Sequence, residues 1–308
     1  MKRKLIKQGT GEGLVMYLPR EWIKEKGLTQ GNEVTIEQIN DTLLITSESK
    51  KNNNEFKIDI SIDTENYKTV RMLLKNYYNL GFKEITIKYK NEKVYSLIKE
   101  IYEKVLFGFE ISSHDKEEKA ITLSEFSTID EKNSKKLINK LFFMFGDSLT
   151  ELEKYMQTGK KNSLERIKIN TDKIDKFESI IRRQIFTKKN DDQHQNVNYW
   201  NFISYIVIGQ RAINRLLEHQ YDDISKSISE IEKINQIFEL FHKKIFLREK
   251  IDDINEYTTK ILELQDNLKS KINNNPNINH YLLEISNDIY FMVAPVISMI
   301  TIDKNKLW

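Results

Sequence analysis

The sequence predicts a multidomain fold: a small β-rich head, a small α/β module and an all-α body. Three observations predict it. Five of the ten glycines, Gly9, Gly11, Gly13, Gly27 and Gly31, fall at the start of the chain. Strand and helix patterns alternate between residues 55 and 125, and after Thr128 the strand signals cease.

The head spans residues 1–48. Lys4–Lys7 and Leu14–Leu18 read as short strands, and Val34–Glu37 and Leu43–Thr46 flank an Asn40-Asp41 turn as a hairpin. One short helix lies between them, opened by Pro19, carrying Trp22 and Ile23 on its apolar face and ended by Gly27. So few short elements make a poor solitary core, so the head is expected to share one with a second copy of itself.

The polar run Ser47–Asn54 reads as a linker to the module, residues 55–125. Phe56–Ile62 alternates as a strand. Val70, Leu73, Leu74, Tyr77 and Leu80 follow at helical spacing before Gly81. A strand at Glu84–Lys88, a helix from Glu92 to Leu106 and closing strands at Phe109–Ser112 and Ala120–Leu123 complete the order βαβαββ.

Residues 128–302 form the body. Apolar residues recur every three or four positions in about six helices, marked by Leu137 to Leu152, Ile167 to Ile185, Trp200 to Leu216, Ile224 to Ile245, Ile251 to Ile272 and Ile278 to Met299. Polar joints at Gly159–Asn162, Lys188–Asn198 and Asn273–Pro276 separate them, and six such helices make two three-helix bundles.

The 49 Lys+Arg and 46 Asp+Glu nearly balance at +3, so any nucleic-acid surface is local. The absence of cysteine excludes disulfide frameworks, thiolate metal sites and cysteine nucleophiles. No secretory h-region follows Met1–Ile6 and no run of ~18 apolar residues is present, so a cytoplasmic protein without membrane insertion is expected. Gly9-Thr10-Gly11-Glu12-Gly13 lacks the Lys-Ser/Thr of a phosphate loop, and no nucleophile is paired with a base. The chain does not read as an enzyme.

Residues 1–31 carry Lys2, Arg3, Lys4, Lys7, Arg20, Lys24 and Lys26 against Glu12, Glu21 and Glu25, a local charge of +4 that two copies double. Such a patch neutralises phosphates and releases counterions. The stretch Gly13–Val34, with Leu18-Pro19-Arg20, Gly27-Leu28 and Gly31-Asn32 ahead of a strand, resembles the swapped-hairpin DNA-binding modules of the AbrB/SpoVT family. It departs from them in Asn32, where Asp is usual. The resemblance implies a homodimer whose interlocked hairpins grip DNA. Lys2, Arg3, Lys4, Lys7, Arg20 and Lys24 are the candidate contacts, Arg20 being placed for a base edge.

The segment Asp175-Lys176-Phe177-Glu178-Ser179-Ile180-Ile181-Arg182-Arg183-Gln184-Ile185 is similar to the Asp-Arg-Leu-x-x-Leu-Ile-x-Arg-Gln stretch of PhoU-like phosphate-uptake regulators, some of which carry an AbrB-type head. In that family carboxylates four residues apart share a helix face and bind a divalent or iron cation. Here Thr171 stands four before Asp175, with Asp172 three before it; Asn214 stands four before Glu218, beside His219; and Glu284 and Asp288 form the intact pair. Asp172, Asp175, Glu218, Glu284 and Asp288 are therefore the candidate metal ligands. The combined resemblance implies a transcriptional regulator of phosphate uptake or homeostasis with a sensing body. The alternative it implies is a regulator that docks on a phosphate ABC transporter or a sensor kinase, its head serving only dimerisation.

Overall fold

The computed structural model describes residues 2–8, 12–39, 42–47, 56–127, 134–187, 193–218, 224–247, 254–272 and 276–305. The expected Asn40-Asp41 turn, residues 48–54 of the expected linker, and His219 lie outside the described residues. The chain divides into two compact units, Met1–Lys57 and Ile58–Trp308.

The first unit holds two small antiparallel sheets and one helix. β1 (Ile6–Lys7) pairs with β2 (Leu14–Val15), and β3 (Val34–Ile39) with β4 (Thr42–Ser47). Helix α1 (Arg20–Glu25) follows Pro19, whose carbonyl accepts from Ile23 N at 3.0 Å. It ends in a left-handed turn at Gly27, φ +62°, where Leu28 N reaches Ile23 O at 3.0 Å and Gly27 N reaches Lys24 O at 3.2 Å. Those two bonds satisfy carbonyls that a helix end leaves orphaned.

The second unit begins with β5 (Lys57–Ile62), α2 (Tyr67–Asn79), β6 (Glu84–Tyr89), α3 (Glu92–Val105), β7 (Phe109–Asp115) and β8 (Ala120–Glu125). Asn66 and Asn91 cap the two helices, their side chains accepting from Thr69 N and Val94 N, each at 3.1 Å. The four strands form one sheet in the order β5-β6-β8-β7, with a bulge in β7 between Ile111 and Ser113. Ile85, Ile87, Tyr89, Ile121 and Leu123 pack beneath Val70, Leu74, Tyr78, Val94 and Ile98 of the helices.

A mostly helical body follows: α4 (Ser134–Thr158), α5 (Lys161–Thr187), α6 (Gln193–Glu218), α7 (Ile228–Leu240), α8 (Ile254–Ser270), α9 (Pro276–Phe291) and α10 (Val293–Asn305). A 3-10 turn (Ile224–Ser227) leads into α7, and a π-helical segment (Phe241–Phe246) continues it. The core is aromatic at its centre. Phe142 stacks on Phe202 at 5.5 Å and on Phe246 at 4.5 Å, and meets Phe238 at 4.7 Å.

Three expectations are corrected. The joint at Gly159–Asn162 shrinks to Gly159 and Lys160, because Gly159 at φ +67° reverses the chain by itself and α5 starts at Lys161. The joint at Lys188–Asn198 is helical from Gln193 onward. The helix expected from Ile278 to Met299 breaks at Met292, three residues before Pro295, which has no N–H for the Phe291 carbonyl. The stretch Pro276–Ile302 is long and apolar enough to cross a bilayer, yet 56% of its most apolar 18-residue window is buried within the protein, as befits a core segment.

Candidate functional site

The head positions its basic residues on elements that keep them in solvent. Lys2, Arg3 and Lys4 precede β1, Lys7 lies in it, and Arg20 and Lys24 stand one turn apart on α1; all six are exposed. Asn32 ties back to the preceding residues: its Oδ1 accepts from Thr29 N at 2.7 Å and Thr29 Oγ1 at 3.0 Å. That closes the turn between Gly27 and Gly31, both at positive φ.

None of the described side chains of Met1–Lys57 is buried. The β3–β4 register puts Val34, Ile36, Leu43 and Ile45 on one face, and Ile36 and Leu43 are 58% and 66% exposed. Leu5, Leu14 and Tyr17 are also open to solvent. Apolar side chains left this open on so small a unit make this face the candidate interaction surface.

In the body, the Asp175–Ile185 segment turns its charges onto the α/β module. Arg71 Nη2 lies 2.7 Å from Asp175 Oδ2, and Lys75 Nζ lies 3.4 Å from Asp175 Oδ1 and also pairs with Glu178. Arg182 Nε donates to Glu178 at 2.6 Å, its Nη2 reaches Ser204 Oγ at 2.9 Å, and its guanidinium lies 3.8 Å over the Trp200 ring. Arg183 donates to the carbonyls of Tyr78 at 2.6 Å and Phe82 at 3.1 Å and to Glu125 at 2.8 Å. It thereby satisfies backbone acceptors around the C-terminal end of α2. Burial pushes the Tyr78 hydroxyl up to about 12, and that hydroxyl donates to the Phe107 carbonyl.

The candidate metal ligands scatter. Both oxygens of Asp175 face cations of α2, while Asp172 and Glu218 are exposed. Glu284 pairs with Arg215, and Asp288 turns inward against Gly209 of α6. Thr171 and Asn214, which stand where the family pattern has acids, lie 3.1 Å apart and are joined by a neutral hydrogen bond, with Gln210 donating to Thr171 at 3.0 Å. Among the described residues no three His, Asp or Glu side chains come together as a donor set. Burial, and then the neighbouring Glu284, push the Asp288 carboxyl up to about 7 against the pull of Arg215, and its Oδ2 has no hydrogen-bond partner.

Sequence reasoning missed Arg71, Lys75 and Arg183. The available signal was charge on inward helical positions: Glu178 lies four after buried Ile174, and Lys75 four after Arg71. No family model, curated protein or solved structure matches the chain.

Proposed function

We propose that this chain is a dimeric DNA-binding transcriptional regulator, of phosphate uptake or homeostasis, in which two heads interlock their hairpins and two three-helix bundles relay the signal. The observation that carries the reading is that no described side chain of the head is buried: its apolar faces call for a partner, and a second copy is self-complementary by symmetry. The exposed Lys2, Arg3, Lys4, Lys7, Arg20 and Lys24 of both copies then supply one positive surface for phosphates. The left-handed turns at Gly27 and Gly31, held by Asn32, support the likeness to swapped-hairpin modules. The body biases DNA affinity by shifting the population of head arrangements that match the DNA.

Fluorescence anisotropy of the full chain on its own upstream DNA tests the reading at several salt concentrations, beside sedimentation of two variants. Arg20→Ala is expected to remain a dimer and lose about 0.9 from the salt slope for each phosphate contact removed. Leu43→Glu is expected to become monomeric and lose DNA binding together. A full-length dimer that binds no DNA at low salt sinks the reading and leaves the partner-docking regulator.

A further inference from the structure

Strand β5 ends the sheet order β5-β6-β8-β7, so one of its edges has no neighbour in the sheet. The Ile62 carbonyl accepts from Lys90 N at 3.3 Å, on the β6 side. Main-chain groups alternate along a strand, so Ile58 and Ile60 also face β6, while Asp59 and Ser61 turn N–H and C=O outward. Those outward groups have no hydrogen-bond partner among the described residues. The side chains alternate as well: Ile62 is buried, and Ile58 and Ile60 are half-buried, against the module's core, whereas Lys57, Asp59 and Ser61 are exposed on the other face, as is Asp63 beyond the strand. The opposite edge of the sheet, β7, carries the bulge between Ile111 and Ser113, which hinders pairing there.

We propose that β5 pairs antiparallel with the β5 of a second copy, about a two-fold axis at Ile60. In that register Asp59 and the partner's Ser61 exchange both main-chain bonds, and Ile60 meets its own mate. Ile58 lies opposite the partner's Ile62, so the apolar layer of the module continues across the axis. On the other face Lys57 lies opposite the partner's Asp63, a pair of opposite charges. Centring the axis on Asp59 would set two carboxylates face to face, and centring it on Ser61 would set Asp59 against Asp63. A slip by one residue would turn the isoleucines to the polar face. The strand is complementary to itself in one register, which makes a second copy the occupant.

So short a ladder is too weak to hold two copies together, or to move the unfolding midpoint, by itself. The pairing therefore rests on the dimer reading: with β4 ending at Ser47 and β5 starting at Lys57, copies joined at their heads hold the two β5 edges at high effective concentration.

The chain has no cysteine, so introduced cysteines report the register through disulfide formation under mild oxidation of the full chain. Two copies of Ile60→Cys would place their Cα atoms ~4.5 Å apart, within disulfide reach, whereas Asp59→Cys or Ser61→Cys alone would place them about 7–8 Å apart, beyond it. Ile60→Cys is expected to cross-link about tenfold faster than either. A mixture of the Asp59→Cys and Ser61→Cys chains, altered only at exposed positions, should cross-link where neither does alone. Lys57→Asp should slow the Ile60→Cys cross-link, and Lys57→Asp with Asp63→Lys should restore it. Equal rates at the three positions, no gain in the mixture, or fastest cross-linking at Asp59→Cys would overturn the pairing, whether the edge is then bare or takes another protein's strand. A dimer by sedimentation that gives no Ile60→Cys cross-link sinks the pairing alone; a cross-link undiminished by Leu43→Glu upholds it and sinks the head dimer.

Discussion

Arg183 shows how much one side chain does at the join between the α/β module and the helices. It is 7% exposed and donates to Tyr78 O, Phe82 O and Glu125, so truncation strands two carbonyls and a carboxylate in the interior. Arg183→Ala is expected to cost about 3–5 kcal/mol in urea unfolding. Arg183→Lys should recover little of it, because an ammonium cannot span the carbonyls and the carboxylate as the guanidinium fork does. Asp288 makes a pH-dependent contribution of the opposite sense from a salt-bridged acid. Its carboxyl titrates at about 7 in the folded chain and at 3.8 in the reference state, so the folded protein holds the extra proton between those values. Stability therefore falls as pH rises from about 4 to 7, by at most about 1.4 kcal/mol per pH unit. Asp288→Asn should flatten that slope and stabilise the protein at pH 8; unfolding curves that stay parallel to the parent from pH 5 to 8 would refute the assignment.

At the scale of elements, glycines decide how closely helices approach. A Cβ on Gly146 of α4 would lie 2.6 Å from Phe238 Cε1 of α7, and one on Gly209 of α6 would lie 2.9 Å from Phe145 Cζ. Alanine is favoured over glycine in a helix by about 1 kcal/mol. Overpacking a core costs about 1–3 kcal/mol. Gly146→Ala should therefore lower the thermal midpoint, whereas Gly13→Ala, with nothing within 4 Å, should leave it within experimental spread. The strands and helices were legible in the sequence because their apolar residues keep a period: Ile85 and Ile87 alternate, and Ile167, Ile174 and Ile181 recur every two turns. The Pro295 break was also written there, yet the apolar stripe from Ile278 to Met299 runs across it and masks it. The π-helical segment was not legible, since its wider turn answers to the stacking of Phe142 and Phe246 across the core. Of the candidate site, the basic residues of the head were readable as exposed charge. Asp175 and Glu178 were not readable as docking groups, because their partners Arg71 and Lys75 lie some 100 positions earlier in the chain.

For the whole molecule, the contrast between the two units sets the expectations. The second unit carries two cores, under the α/β module and within the helices, tied by buried ion pairs. It is expected to unfold in one calorimetric transition at a midpoint independent of protein concentration. The head buries no described side chain of its own, so under the dimer reading its ordering is an association equilibrium that follows mass action. Dilution should then lose the head's signal first, with Trp22 as the reporter in a chain from which Trp200 and Trp308 have been removed, while the helical transition stays in place. If the proposed dimeric DNA-binding role holds, the bare apolar face of β3 and β4 makes abundance itself a control variable: below the dimer dissociation constant, the number of DNA-competent heads would grow with the square of the protomer concentration. On that proposal a twofold change in synthesis would become about a fourfold change in operator occupancy at low dose, without any ligand or modification.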